Sequence, residues 1–314
     1  MRRLLLAAVA AVGLTSAARA ADKPAELALV PPAAPIAVSV DAVKLKKNLT
    51  DLGAPVDKTI AKAKEEKKID LENISRATVF VEVFPTAEVS ALPTVVVTTK
   101  EATAKADLPK WLQSETEATV AGKKAIKAKE QVEKQDFFGT IIDDKTALLG
   151  TEPALTAVFK DGAKGTDLGK EFGKADLKHD VVAVVAMKPL LAKLKEQFGD
   201  LDKLIPPAAE QFWTAAKRLE TISLTVDLAE DTLLTGVFKA DNAEGADLVK
   251  ESLQGGVALM SLALPQIKQG LGSQLPPEAK PLISVVEAIA KTSKFKVDGS
   301  TVIMTVARPK DFGK

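Results

Sequence analysis

The chain has 314 residues, with 43 Lys and Arg against 42 Asp and Glu, one His, no Cys, no Tyr, 11 Phe and 2 Trp. Without cysteine there is no disulfide, thiolate nucleophile, iron–sulfur cluster, zinc finger or lipid-modified cysteine. A single imidazole excludes every multi-histidine metal site.

Residues 1–20 divide into Arg2 and Arg3, an apolar run from Leu4 to Leu14 and a small-residue end at Ala18-Arg19-Ala20. These are the three parts of a secretory signal peptide. Eleven apolar residues at about 1.5 Å each reach only ~16 Å, well short of a ~30 Å hydrocarbon core, so a membrane anchor is disfavoured. Cleavage is expected between Ala20 and Ala21, with Ala18 at the other small-residue position. Leu4-Leu5-Leu6 after the arginine pair favours the general secretory route over the twin-arginine one. The expected location is periplasmic or secreted, without the cysteine of a lipoprotein signal. Loss of Arg2, Arg3 and Arg19 takes the net charge from +1 to −2. That is no basic surplus for nucleic acid, whose phosphates dominate its affinity for proteins. No later segment reaches eighteen unbroken apolar residues, so a soluble product without a transmembrane segment is expected.

Residues 21–35 end in Pro31-Pro32-Ala33-Ala34-Pro35, which forbids a helix and predicts an extended leader with the fold starting at Ile36. From there the hydrophobic period alternates between two and 3.6. A strand is predicted over 36–40, helical stretches over 42–48 and 58–68, and strands over 77–84 and 93–99. In the first of these β runs Val79, Val81 and Val83 share a face. A helix follows over 102–112, then strands over 123–129 and 137–142, a turn at Asp143-Asp144, a strand at 147–149 and a helix over 152–160. The segment from Asp161 to Gly173 holds Gly162, Gly165, Gly169 and Gly173, which depress helix and strand alike. It sets the expected boundary between a first module, 36–165, and a second, 175–314.

The second half repeats much of this order. A strand is predicted over 180–186, a helix over 189–198 with Leu190, Leu194 and Phe198 on one face, and a helix carrying Ala208, Phe212, Ala215 and Leu219. A hairpin over 222–228 and 233–240 follows. The next helix repeats the tripeptide Ala-Asp-Leu, at 106–108 and again at 246–248. Each copy comes shortly after a hairpin, an internal-repeat signal. The long helix carries Val249, Leu253, Val257, Met260 and Leu264 along one stripe, and Pro265 should kink or end it. Pro276-Pro277-Glu278 opens a helix with Leu282, Val285, Val286 and Ile289 on one face. Phe295-Lys296-Val297, the turn Asp298-Gly299 and a run over 302–306 close the chain as a hairpin.

Chemistry is mostly absent. His179 stands alone before an apolar run, where a solvated imidazole is ordinary, and no G-x-S-x-G accompanies it. Gly122-Lys123, Gly169-Lys170 and Gly173-Lys174 lack the spacing of a phosphate loop, and Gly270-Leu271-Gly272 lacks the third glycine of a dinucleotide fingerprint. Asp241-Asn242-Ala243-Glu244-Gly245 puts alanine where a calcium loop needs an oxygen ligand and a glycine, so Asp241 reads as a helix N-cap. Paired acids, Asp143 with Asp144 or Asp200 with Asp202, are the remaining catalytic option. Trp111 and Trp213 read as packing residues, and the lysines at 123, 124, 127, 129 and 134 as a solvated face or an anion-binding patch.

The order strand, helix, hairpin, helix, followed by Ile141-Ile142-Asp143-Asp144-Lys145-Thr146-Ala147-Leu148-Leu149-Gly150-Thr151 leading into a helix, resembles exported bacterial proteins of unknown function with duplicated β-α-β-β modules. That resemblance implies export and duplication, and transfers no catalytic residue or ligand. The expected fold is α+β, two related modules, each a mainly antiparallel sheet with helices packed on one face. The expected function is a non-catalytic envelope binding or scaffold protein without cofactor or metal, its partner an envelope protein or a small apolar ligand. In a carrier of an apolar ligand, the alternative, the stripe Val249, Leu253, Val257, Met260 and Leu264 would line the site. A carboxylate-dependent hydrolase ranks last.

Overall fold

The computed structural model describes residues 25–67, 70–82, 93–132, 134–162, 166–271, 280–310 and 312. The expected signal peptide, the connection over 85–92 and the Pro276-Pro277-Glu278 opening lie outside these residues. The chain is α+β and divides into two compact units. The first comprises residues up to Lys47 and Val56–Val181, the second Asn48–Pro55 and Val182–Lys314.

In the first unit seven antiparallel strands are β1 (Ile36–Asp41), β2 (Ile74–Val81), β3 (Pro93–Thr99), β4 (Glu117–Val120), β5 (Lys123–Lys127), β6 (Phe137–Ile141) and β7 (Thr146–Thr151). Their spatial order is β1-β2-β3-β7-β6-β5-β4. The register aligns Val38, Val79, Val95, Leu149 and Gly139 on one face and Ser39, Thr78, Val96, Leu148 and Thr140 on the other. Helices α1 (Ala42–Asp51) and α2 (Val56–Lys67) follow β1. Asp41 starts α1 by accepting the backbone N–H groups of Val43 and Lys44 at 3.1 and 3.0 Å.

Helices cover both faces of this sheet rather than one. Helix α3 (Ala104–Leu112) lies over the first face, where Leu108 and Leu112 press on Gly139 so closely that a Cβ there would stand 2.5 Å from Leu108 Cδ1. Helices α4 (Glu152–Lys160) and α5 (Asp167–Phe172) cover the other. Leu155 of α4 meets Gly150, and Phe172 of α5 meets Phe80 edge-on with ring centroids 5.8 Å apart. The strands show why: β3, β6 and β7 have almost no exposed position, so their sequences lack polar alternation, the mark of strands sandwiched on two sides. Hydroxyls buried there are paired, Thr78 donating to Ser39 at 2.9 Å and Thr140 to the Lys124 carbonyl at 2.9 Å. Because α5 packs on this face, the glycine-bearing segment that carries it belongs to the first unit.

The described part of the expected extended leader, from Ala25 on, is also part of this core. Residues Ala25–Ala28 form a 3₁₀ turn, Val30 is fully buried, and the Glu26 carboxylate, within a residue only 2% exposed, accepts Thr98 Oγ1 at 2.8 Å. Prolines 31, 32 and 35 keep the strap from helix but do not keep it in solvent.

A second buried carboxylate anchors α3. Asp107 accepts Thr103 Oγ1 at 2.8 Å, Asn73 Nδ2 at 3.1 Å and Lys110 Nζ at 2.9 Å. Burial drives this carboxyl pKa upward, but the hydrogen bonds from Lys110, Thr103 and Asn73 outweigh it and hold the group below its ordinary value. A group so held stabilises the fold above its unfolded-state pKa of about 3.9 and loses that contribution as pH falls through its lower folded value. Asp107→Asn should cost about 1–3 kcal/mol at neutral pH. It should also flatten the fall in stability below about pH 4, read by urea titrations across pH. An unaltered acid limb in the variant would remove this role.

The second unit has five strands, β8 (Val181–Ala186), β9 (Leu219–Val226), β10 (Thr232–Ala240), β11 (Ser293–Asp298) and β12 (Thr301–Ala307), in the order β11-β12-β10-β9-β8. This matches the first unit's β6-β7-β3-β2-β1, with β4 and β5 extra at that sheet's edge. The two Ala-Asp-Leu copies do occupy corresponding helices but face differently: Asp107 is buried and Ala106 exposed, whereas Ala246 is buried and Asp247 exposed. Helices α6 (Met187–Phe198), α7 (Glu210–Arg218), α8 (Ala243–Leu271) and α9 (Lys280–Thr292) form the helical layer. Val302, Met304 and Val306 are buried beneath it, while Thr301, Ile303 and Thr305 on the other face are half-exposed. Gly299, at φ +58°, makes the tight β11–β12 turn.

Two local expectations change. Pro265 does not end the long helix, and α8 runs on to Leu271. Ser261, whose carbonyl loses its helical partner to Pro265, is an exposed residue. The N-cap of α8 is Asn242, whose Oδ1 accepts the Gly245 N–H at 2.9 Å. Asp241 instead pairs with Arg218 Nε at 2.8 Å.

Candidate binding surface

The residue types with most chemical capacity are scattered or mutually engaged. His179 is half-buried in the loop before β8. Asp143 and Asp144 form the exposed β6–β7 turn, where Asp143 Oδ1 accepts the Lys145 N–H at 2.8 Å. Of the five lysines at 123–134, Lys123 lies 4.7 Å over the Phe159 ring and Lys127 pairs with Asp136 at 2.6 Å. Both contacts turn these cations toward their own unit. No cluster of three or more metal-ligating side chains occurs among the described residues.

Asp200 and Asp202 do converge. With Leu191, Lys195, Leu201, Trp213 and Lys217 they line an open groove of about 180 Å³ beside α6 and α7. Asp202 accepts Trp213 Nε1 at 2.5 Å and Lys217 Nζ at 2.9 Å, and Lys217 stands 5.8 Å over the Trp213 ring. Those hydrogen bonds, Lys217's first, hold the Asp202 carboxyl below its ordinary pKa. A general acid needs the opposite shift. Asp200 is paired with Lys203 at 3.3 Å. The groove is smaller than the roughly 300–1,000 Å³ of ordinary ligand pockets.

The stripe read from the sequence is the inner side of α8. Val249 and Leu264 are buried, and Leu253, Val257 and Met260 half-buried. The outer side carries the unexpected feature. Leu262 is 77% exposed and Leu259 58%, on a helix with no charged residue from 252 to 267. Gly255 and Ala258 share that exposed ridge. Of the five large apolar residues exposed in the described chain, Phe198, Leu204, Leu259 and Leu262 lie on or between helices of the second unit; Val237 alone lies on a strand. Leu259 and Leu262, three residues apart on one helix, are neighbours on its surface. The ridge is held firmly: Phe212 of α7 approaches Gly256, whose Cβ would stand 3.6 Å from its ring, and Ser261 donates to the Ala290 carbonyl of α9 at 2.9 Å.

The fold and this surface define an α+β protein with a rigid, exposed, charge-free helix face. No described helix is long and apolar enough to cross a membrane. No protein family's sequence profile matches the chain, and no curated protein matches it. Among solved structures, crystal form III of TP0453 is similar at a TM-score of 0.44 and 11% identity, covering 92% of this chain and 94% of that one. Crystal form I gives 0.42 and 11%, covering 92% and 93%. Form IV gives 0.44 and 9%, covering 90% and 92%.

Proposed function

We propose that the chain is a non-catalytic exported protein of the cell envelope that holds a partner against the outer face of α8. The observation carrying this reading is the exposure of Leu259 and Leu262 on a helix segment without charge. Such a face is costly to leave in water, at roughly 25 cal/mol per Å² of apolar surface, and covering it drives association. The scarcity of reactive side chains supports holding over turnover: one imidazole, no thiol, and convergent acids tied to lysines. Export rests on the tripartite signal within residues 1–20.

A carrier of an apolar ligand is the weaker reading. The apolar stripe from Val249 to Leu264 faces inward in its own unit, and the groove beside Trp213 is small and open.

A photo-crosslinking amino acid at position 262 should capture one reproducible species in intact cells, and the same residue at position 296 on β11 should not. Leu259→Asp should abolish the adduct while leaving the thermal midpoint within a few degrees, since position 259 is exposed. Equal capture from both positions, or none from 262, defeats the reading. Deleting residues 1–20 should retain the protein in the cytoplasm.

A further inference from the structure

The exposed ridge of α8 sets small residues at one end against large ones at the other. Gly255, Ala258, Leu259 and Leu262 are all exposed, and small and large residues mirror each other about the midpoint between 258 and 259. We infer that this ridge is the interface of a homodimer in which two copies of α8 cross antiparallel about a two-fold axis through that midpoint. The inference rests on the reading of α8 as the binding face and names its occupant as a second copy of this chain.

In the antiparallel register Leu262 of one protomer meets Gly255 of its partner, and Leu259 meets Ala258. Each knob therefore faces a residue small enough to receive it. Gly255 is an open socket: a Cβ built there would meet only the Phe212 ring, at 3.9 Å. A parallel pairing would set Leu262 against Leu262 and leave Gly255 facing Gly255, a collision beside a void. A two-fold axis uses the same patch on both copies, so a self-complementary ridge satisfies it without any second surface. The lack of charge from 252 to 267 points the same way. It removes the like-charge repulsion that a two-fold contact would double.

The contact is small. Sixteen residues make about 24 Å of helix, roughly 10 Å wide, or on the order of 250 Å² per copy. That is far below the roughly 800 Å² per partner of a stable complex, so the dimer is weak and transient.

Sedimentation velocity of the chain lacking its first twenty residues should show a weight average rising toward the dimer as concentration is raised from the micromolar toward the millimolar range, the regime of a weak contact. Leu262→Asp should stay monomeric throughout. The native chain has no cysteine, which allows the register to be tested directly. A mixture of Gly255→Cys and Leu262→Cys should form a disulfide-linked dimer on mild oxidation that neither variant forms alone. Two copies of position 262 would lie about 10 Å apart along the helices, beyond the roughly 7 Å that a disulfide spans. Linkage of Leu262→Cys to itself at equal yield overturns the antiparallel register, and a monomer at every concentration overturns the dimer. A monomer whose position-262 adduct in cells contains a different protein refutes self-association but leaves α8 as the binding face. Loss of both dimer and adduct refutes both.

Discussion

Arg76→Met should destabilise the first unit by about 3–5 kcal/mol, the largest loss expected from any single polar residue in the chain. The Arg76 guanidinium stands 3.3 Å from Asp41 and 4.0 Å from Glu26, and it donates to the Leu177 carbonyl. Removing it leaves the Glu26 carboxylate, nearly sealed from water, with only the Thr98 hydroxyl among these partners. Most of the cost is that stranded charge rather than the lost attraction. The double variant Arg76→Met with Glu26→Gln should therefore recover a substantial part of it. Urea denaturation of the two singles and the double measures this; equal loss in the double and in Arg76→Met would show that the pair is not coupled.

The second large effect is expected from Phe172→Ala, at about 3–5 kcal/mol. Phe172 and Phe80 are both fully buried, and their rings meet at 84°. Helix α5 has six residues, too few to persist alone, and is held by Leu168, Phe172 and the Thr166 cap on Gly169 at 3.0 Å. Truncation should therefore do more than open a cavity. Amide exchange across residues 166–177 should rise to near the unfolded rate while β3 and β7 stay protected. If protection there is unchanged, α5 is not held by this ring.

The regular elements were legible wherever the periodicity was sharp. Strand β3 and helix α4 lie over Pro93–Thr99 and Glu152–Lys160, the spans predicted for them. The burial of the N-terminal strap was not legible, because prolines report backbone shape and say nothing about which surface lies opposite. The second helical cover of the first sheet was hidden for a related reason. A run such as Ala147-Leu148-Leu149 states that both faces are dry, not which segment dries them. The exposed outer ridge of α8 was missed through attention to one stripe of that helix. Its signal was present as the absence of any charge from 252 to 267, which leaves leucines on the outer side of the helix with no charged neighbour in that stretch. That Asp200 and Asp202 would be neutralised by Lys203 and Lys217 depended on contacts up to fifteen residues away, beyond what local spacing encodes.

Arg76 joins distant parts of the first unit, reaching back to Glu26 and forward to the Leu177 carbonyl, which lies 101 residues after Arg76 itself. Synthesis delivers the first of these early and the other last. The growing polypeptide must therefore remain unlocked until about residue 177 is free of the machinery that made it, since closing so long a loop precedes any reward from the contact. A latch of this kind delays the first unit's commitment to its final shape until nearly all of that unit has been made.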